Sequence, residues 1–340
     1  NPDFLSFLRD YLSTQRQLTV REDEILVVNG SQHGADLIAR TFLRSGDTVL
    51  VEEPTYYGAA QLFRGYGARL VGVPMDAGGV RIEAVEAVLD RERPKLMYVM
   101  PTFQNPTGGT LAAARRKALV QLTRRYHVPL VEDDFDGELY FDQPPSPPLK
   151  SERDAEGVSY LGTPSKVLFP GLRIGWIVAS EPVIERLVRI KQMTDLSGSQ
   201  LLQAALARFA RTGGLDEHMR TVRKAYGQRV AKLVRALETH MPDGVTWTHP
   251  QGGLSLLLTL PEGLDAGDLL PAAAAAGVMY TPGKLFFVEG GAHHLRLSFG
   301  NVPTRRVEEG VKRLSGVVRA ALQDSKPVRR HKARLSLPPV

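Results

Sequence analysis

Residues 162–176 read GTPSKVLFPGLRIGW, and within this stretch Lys166 lies among small hydroxyl residues. Thr163 and Ser165 precede the lysine, and Arg173 follows it. The runs YLGT and RIGWIVA at the two ends of the stretch have the apolar composition of buried strands. An arginine can bind phosphate through paired N–H donors, and a partly desolvated lysine near other cations becomes a nucleophile for an aldehyde. The stretch therefore predicts a reactive amine on a loop between two strands, with a solvated surface lysine as the alternative.

The chain before residue 180 alternates short β-branched runs with helical spacing. The strand-like runs include EILVV, DTVLVEEP, RLVGVP, KLMYVMP and VPLVEDD. Helical periodicity lies between them, at about residues 32–43, 58–66, 82–89 and 111–126. This rhythm predicts an α/β fold with a mainly parallel sheet and helices on both faces.

The second half of the chain has a different pattern. Long helices are predicted at about residues 181–195, 200–211 and 215–240, followed by strand-like runs, a short strand near Val278 and a last helix at 303–322. We expect four parts: an N-terminal helix at residues 1–20 that belongs with the small domain, a large domain at 21–195, a small α+β domain at 196–325 and a basic tail at 326–340. The tail is expected to be a solvated end, and contact with an acidic partner is the alternative.

Composition excludes several classes of protein. The chain has 43 Lys and Arg against 37 Asp and Glu, a net charge of +6, and no cysteine. Disulfides, cysteine-bound zinc and thiol nucleophiles are therefore excluded, and a cytoplasmic location fits best. The longest apolar runs are shorter than the roughly 20 residues of a membrane-spanning helix, so no membrane role is indicated. No His or Cys cluster has metal-ligand spacing, and we expect no metal.

Ligands of parallel α/β sheets bind at the carboxyl ends of the strands, where this chain carries polar residues. EILVV leads into NGSQHG, so Ser31 and Gln32 begin a helix whose free N–H groups attract an anion such as phosphate. A simple helix cap by Asn29 or Ser31 is the alternative. Tyr56 and Tyr57 follow DTVLVEEP and offer ring faces for a flat ligand, or else pack in the core.

Two further strand ends complete the candidate site. VPLV leads into Glu132, Asp133 and Asp134, where a carboxylate could face a bound cation, a metal ion or solvent. KLMYVMP leads into TFQNPTGG, whose turn would fix the amide of Asn105 near the same edge. Together these strand ends indicate a site for pyridoxal 5′-phosphate. They offer N–H groups for a phosphate, aromatic rings for stacking, a carboxylate for a ring nitrogen, an amide for a phenolic oxygen and a reactive lysine.

The ordered motifs SQHG, EEPTYYG, PTFQNPTGG, VEDD, GTPSKVLFPGLRIGW and LRLSFG resemble those of the fold-type-I, class I/II aminotransferases. The resemblance covers nearly the whole chain. It is greatest for the branch that contains the α-aminoadipate and kynurenine aminotransferases and the aminotransferase-like domain of MocR (GntR-type) regulators. It implies a mainly parallel, seven-stranded-type sheet with helices on both faces, a smaller α+β C-terminal domain, and a homodimer with shared active sites.

The resemblance also implies a role for each site residue. Lys166 would bind the cofactor covalently, Asp133 would pair with its ring nitrogen, and Tyr56 would stack on the ring. Asn105 would lie near the phenolic oxygen and, with Arg296 on the strand HLRLSF, near the α-carboxylate of the substrate. A surface arginine is the alternative for Arg296. The cofactor phosphate would be held by Ser31, Gln32, Thr163, Ser165 and Arg173.

Two functions remain open at this point. One is an aminotransferase that moves an amino group from an L-amino acid to a 2-oxo acid. The other is the effector-sensing domain of a MocR-type regulator, for which DNA would be a partner only if a winged-helix domain precedes it. Another reaction of the same cofactor, such as decarboxylation, ranks below both. Phe135, followed by Asp136, lies where this branch usually has a tyrosine, and the family carries an arm ahead of Asn1, so we expect missing upstream sequence.

Overall fold

One mixed sheet organises the first half of the molecule. The computed structural model describes residues 1–324, so the predicted basic tail lies outside the described residues. The sheet has the order β1-β8-β7-β6-β5-β2-β3-β4. Its strands are β1 (Ile25–Val28), β2 (Thr48–Glu53), β3 (Arg69–Asp76), β4 (Gly79–Val80), β5 (Leu96–Val99), β6 (Leu130–Asp134), β7 (Val158–Gly162) and β8 (Gly175–Val178).

The sheet confirms the mainly parallel, seven-stranded type, with the two-residue β4 added at one edge. Strands β3, β2, β5, β6 and β7 pair in parallel, whereas β8 runs antiparallel to both of its neighbours. Every residue of β5, β6, β7 and β8 is buried. Such uninterrupted burial is expected when helices cover both faces of a sheet.

Ten helices are present in the described part of the chain. They are α1 (Pro2–Arg16), α2 (Ser31–Phe42), α3 (Tyr57–Gly65), α4 (Ile82–Glu92), α5 (Ala113–Arg125), α6 (Glu181–Gln192), α7 (Gln200–Arg211), α8 (Gly214–His240), α9 (Ala266–Ala275) and α10 (Val307–Asp324). Helices α2, α3 and α6 cover one face of the sheet, while α4 and α5, and α1 with α7, cover the other. None of the helices in residues 1–324 combines the length and apolarity needed to cross a bilayer.

A second, antiparallel sheet lies in the C-terminal part. Its order is β11-β12-β10-β9, with β9 (Thr246–Trp247), β10 (Ser255–Thr259), β11 (Thr281–Pro282) and β12 (His294–Ser298), and α8, α9 and α10 pack against it. The short strand expected near Val278 begins instead at Thr281. Val278 is still bound to the end of α9, because its N–H donates to the carbonyl of Ala273 after Gly277 turns the chain at φ +79°. The division into four parts stays a prediction.

The N-terminal helix is held to the end of β6 by a buried ion pair. Arg16, the last residue of α1, is 5% exposed and donates a hydrogen bond to the carboxylate of Asp134. The hydroxyl of Tyr160 donates to the same carboxylate at 2.8 Å, and Arg16 also donates to the carbonyl of Gly137 at 3.3 Å. These bonds connect α1 to the strand that carries the three acids.

We expect Arg16→Met to destabilise the protein by about 3–5 kcal/mol, because it leaves the Asp134 carboxylate buried without its cation. The measurement is urea-induced unfolding of the cofactor-free protein. Arg9→Met is the matched control on the same helix, since the Arg9 side chain is 42% exposed and its ion pairs with Asp10 and Glu22 face solvent. That control should cost less than about 1 kcal/mol. Equal destabilisation by the two variants would contradict the proposed role of Arg16.

Candidate active site

A cavity of about 300 Å³ brings together every site residue predicted from the sequence. The predicted residues that line it are Ser31, Gln32, Tyr56, Asn105, Asp133, Thr163, Ser165, Lys166, Arg173 and Arg296. Most of them follow the carboxyl ends of the strands of the large sheet, and Arg296 comes from β12 of the second sheet. Additional lining residues are Tyr57, Phe135, Asp136, Pro170, Leu254, Ser255 and Ser298.

The alternation of side chains along β6 decides which acid faces the cavity. Successive residues of a strand point to opposite faces, so Asp133 points one way and Glu132 and Asp134 the other. Asp134 is bound by Arg16 and Tyr160, and Glu132 accepts hydrogen bonds from two backbone N–H groups at 2.8 and 3.0 Å. Asp133 is therefore the acid of this triplet that is available to a ligand in the cavity.

The environment of Asp133 favours a positively charged partner. The hydroxyl of Tyr98 donates to its Oδ2 at 2.7 Å, while its Oδ1 is buried and has no hydrogen-bond partner among residues 1–324. Burial raises the pKa of Asp133 to about 7, although the Tyr98 hydrogen bond acts in the opposite direction. A cation held at Oδ1 would offset the cost of burying the negative charge.

The part of the cavity at the N-terminus of α2 favours binding of an anion. Helix α2 begins at Ser31 after Gly30, and no side chain of the described residues caps its first N–H groups. Asn29 does not act as the expected cap, because its amide donates to Asp195 at 2.7 Å. Arg173 lies against this helix terminus and donates to the carbonyl of Asn29 at 2.5 Å. The free N–H groups, the helix dipole and the guanidinium together favour a phosphate group.

Two glycines allow this close approach. Gly30 has φ +85°, and a Cβ there would lie 2.6 Å from Nη2 of Arg173. A Cβ on Gly175, at the start of β8, would lie 2.7 Å from the carbonyl carbon of Gly30. The clash at Gly175 is with backbone that cannot move aside, and the positive φ at Gly30 disfavours any other residue there, so both positions favour glycine. Thr163 completes this end, because its hydroxyl contacts that of Ser165 at 2.8 Å and donates to the carbonyl of Ile174 at 2.7 Å.

Lys166 lies in the turn after β7 with its side chain exposed to the cavity. Its Nζ is 5.8 Å from the centre of the Phe135 ring, and that ring is 6.0 Å from the ring of Tyr56. Phe135 therefore lies beside the lysine and offers a ring face without a hydroxyl group. The amine, the two aromatic rings and Asp133 line the same part of the cavity.

Arg296 crosses from the second sheet to the large sheet. Its Nη1 donates to Oδ1 of Asn105 and its Nη2 to the hydroxyl of Thr281, both at 3.1 Å. The guanidinium carbon lies 4.9 Å from the centre of the Phe286 ring. Burial lowers the pKa of Arg296 from its ordinary value, and Nε is buried without a partner among residues 1–324. Its guanidinium is thus half-buried and retains a free donor, as a carboxylate site requires.

Several residues of this arrangement were not found from the sequence. Tyr98 bonds to Asp133 from 35 residues away, and Thr281 and Phe286 contact Arg296 from the segment before its strand, but none of the three forms a local motif. Asp136 had a signal, since it is the next acid after the triplet of β6. No group of three potential metal ligands occurs in residues 1–324.

The lining residues fit pyridoxal 5′-phosphate. The unpartnered Oδ1 of Asp133 suits a protonated ring nitrogen, and the glycine-lined terminus of α2 with Arg173 suits the phosphate. Lys166 supplies an amine between these two ends, where the aldehyde of the cofactor would lie.

Comparisons with known proteins agree with this geometry. The family model for aminotransferase class I and II matches residues 1–314. The aromatic-amino-acid aminotransferase 1 of Thermococcus litoralis is 37% identical over 93% of this chain and 77% of that protein. The crystal structure of LysN, the α-aminoadipate aminotransferase of Thermus thermophilus complexed with N-(5′-phosphopyridoxyl)-L-leucine, has a TM-score of 0.89 at 37% identity. The match covers 95% of this chain and 82% of that one.

A regulator is also among the relatives. The uncharacterized HTH-type transcriptional regulator YisV of Bacillus subtilis is 34% identical over 87% of this chain, and the match spans 61% of that protein. The resemblance to the MocR branch is therefore confirmed, at a lower identity than the match to the Thermococcus litoralis enzyme. On the family match and the relatives, the protein is a pyridoxal-phosphate enzyme of fold type I, and the chain belongs to the class I and II aminotransferases.

Proposed function

We propose that this aminotransferase uses Lys166, Asp133 and Arg296 to move an amino group from an L-amino acid to a 2-oxo acid. The observation that carries the proposal is that these three residues line one cavity. They bring to it an amine, a carboxylate oxygen and a guanidinium N–H, and the last two have no hydrogen-bond partner among the residues that the structure describes. Bound pyridoxal phosphate supplies an aldehyde that reacts with amines and a ring that withdraws electrons from the substrate Cα.

Different residues would hold the cofactor and the substrate. Asp133 would bind the ring nitrogen and keep it protonated, and Tyr56 would cover the ring. Arg296, fixed by Asn105 and Thr281, would bind the α-carboxylate through paired N–H donors and so orient the Cα–H bond. The residues that would bind the phosphate are Ser31, Gln32, Thr163, Ser165 and Arg173.

Lys166 would also carry the proton. When it is not attached to the cofactor, the Lys166 amine would take the proton from the substrate Cα as general base and return a proton, as general acid, to the cofactor carbon that carried the aldehyde. Its exposed side chain leaves room for this movement.

We further propose a homodimer with shared active sites, on the family resemblance. A cytoplasmic location likewise stays a prediction from the absence of cysteine. The side chain of the amino-acid substrate is left open at this stage.

A second candidate function is supported by the match to the Bacillus subtilis regulator. In such a protein the same cavity would bind an effector amine, and a winged-helix domain of the full-length protein would bind DNA. The test is to add a panel of L-amino acids to the cofactor-loaded protein and then 2-oxoglutarate, while recording the absorbance spectrum. Conversion of the aldehyde form of the cofactor to its amine form and back supports the enzyme, whereas a spectral shift without conversion supports the sensor.

We expect Lys166→Ala to abolish covalent attachment of the cofactor and to reduce turnover about 10³-fold or more. The measurement is borohydride reduction followed by peptide mapping. Lys117→Ala, at an exposed position of α5, is the control and should retain both properties. Finding the reduced cofactor on another lysine of the wild-type protein would contradict the assignment.

The raised pKa of Asp133 predicts a pH dependence of stability in the cofactor-free protein. Its pKa of about 7 lies above the ordinary value, so the stability it contributes is full below about pH 4 and is lost as the pH rises through 7. We expect Asp133→Asn, which cannot ionise, to be more stable than the wild type at pH 8 by roughly 1–4 kcal/mol, from about 1.4 kcal/mol per pKa unit.

Urea-induced unfolding at pH 5 and pH 8 measures this difference. The buried acids Glu52 and Glu132, whose pKa values are also raised, titrate in both proteins and cancel in the comparison. The charge of Asp133 helps to raise the pKa of Asp136, so the difference reports Asp133 together with its repulsion of Asp136. An identical change of stability with pH in wild type and variant would contradict the prediction. The same variant should lose cofactor on dialysis, because the ring nitrogen loses its anionic partner.

A further inference from the structure

Asp136 is a buried acid of the cavity with no assigned task. It follows Phe135 in the loop after β6, is 3% exposed, and lines the cavity together with Lys166 and Arg296. Its Oδ1 is buried and has no hydrogen-bond partner among residues 1–324. Asp133 and Asp134, in contrast, each have one oxygen bound by a tyrosine hydroxyl. A carboxylate withdrawn from water without a partner is costly, which indicates that a ligand supplies the partner.

The charges around Asp136 indicate the sign of that ligand. Lys166 and Arg296 attract its negative charge, while Asp133 and Asp134 repel it. Burial outweighs the two cations and raises the pKa of Asp136 to about 8. The charges of Lys166 and Arg296 thus do not offset the burial of Asp136, and its Oδ1 accepts no hydrogen bond from residues 1–324, so a ligand cation with N–H donors would satisfy this oxygen.

The two nearby cations are committed to other contacts in the proposed function. Arg296 is bonded to Asn105 and Thr281 and faces the substrate carboxylate, and Lys166 binds the cofactor. An amino acid whose carboxylate lies at Arg296 and whose reacting atoms lie at Lys166 places its α-ammonium group between these residues. Asp136 lines the same cavity and interacts electrostatically with both Lys166 and Arg296.

We propose that Asp136 is a substrate-binding residue that accepts hydrogen bonds from the α-ammonium group of the amino acid. This inference rests on the proposed function of the cavity. An ammonium group carries three N–H donors, whereas the carbonyl oxygen of a 2-oxo acid at the same place can only accept. Asp136 therefore favours the binding of the amino acid over that of the oxo acid, and no bond is made or broken in this contact.

The test compares ligands that differ only in the α-amine. The probe pairs are L-leucine with 4-methylpentanoate and L-phenylalanine with 3-phenylpropanoate. Their affinities are measured by titration calorimetry on the cofactor-loaded protein after borohydride reduction, so that no covalent bond can form with the amine. We expect Asp136→Asn to weaken amino-acid binding about 10- to 100-fold, as for loss of a charge-assisted hydrogen bond, and to change binding of the amine-free acids less than about threefold.

Controls separate this role from a structural one. Asp136→Glu keeps the charge and should retain part of the preference for the amino acid, and Asp142→Asn, at an exposed position beyond the same loop, should bind both members of each pair like the wild type. Equal weakening of both members by Asp136→Asn, or no change in either, would overturn the inference. So would a shift of the cofactor absorbance maximum without loss of amino-acid affinity, which would assign Asp136 to the cofactor.

The kinetic counterpart distinguishes this inference from the proposed function. The variant should show a lower kcat/KM for the amino-acid half of the reaction and an almost unchanged value for the oxo-acid half. If the wild type transfers no amino group from any member of the donor panel, the proposed function fails. If the wild type turns over and Asp136→Asn affects both halves alike, only the inference about Asp136 fails.

Discussion

The burial of three consecutive acids at the end of β6 constrains the structure around them. Carboxylates in a sheet covered on both faces need partners, and these partners come from distant parts of the chain. On one face Asp134 is bound by Arg16 of α1, and Glu132 lies 3.9 Å from Arg116 of α5. On the other face Asp133 has a tyrosine hydroxyl for one oxygen and nothing within the described chain for the other. The fold thus places a cation near two of the acids and leaves one oxygen of the third without a hydrogen-bond partner in residues 1–324.

The second constraint is the contact between the two sheets. Arg296 of the small sheet donates to Asn105 of the large one at 3.1 Å, so the site proposed for the substrate carboxylate depends on how the two sheets are placed. The chain near Arg296 is fixed to the large sheet at two further points. The N–H of Thr55 donates to the carbonyl of Phe286 at 2.7 Å, and the carboxylate of Glu53 accepts from the N–H of Val288 at 2.8 Å. Because Glu53 and Thr55 lie within three residues of Tyr56, the same segment connects Tyr56 to the chain near Arg296, the two residues proposed to contact the cofactor ring and the substrate.

The sequence predicts much of this because its signals are local. Periodicity of apolar residues locates the strands and helices, and the rule that ligands bind at carboxyl ends of parallel strands brings Ser31, Asp133 and Lys166 to one edge. The remaining features depend on pairs far apart in the chain. No sequence pattern around Arg16 indicates that it bonds to Asp134, and none around Thr281 indicates that it bonds to Arg296. Apolar periodicity and local motifs do not report the partner of a single polar side chain. The strand expected near Val278 begins three residues later because the N–H of Val278 is bonded to the carbonyl of Ala273 at the end of α9. Hydropathy does not report this capping bond.

The distinction between an enzyme and a sensor depends on what happens at Lys166 after a ligand amine has bound. Both functions need the phosphate cradle, the acid at the ring nitrogen and the arginine for the carboxylate. Turnover additionally needs an amine that is free to move to the substrate Cα and an environment that does not bind it elsewhere. In this cavity Nζ makes no hydrogen bond to residues 1–324, the ring of Phe135 lies 5.8 Å from it, Asp133 and Asp136 act on it through their charges, and the lysine side chain is exposed. Two neighbouring residues of the loop after β6 thus have different proposed roles. Phe135 leaves the lysine free to carry a proton, and the buried acid Asp136 would bind the amine that replaces the lysine on the cofactor.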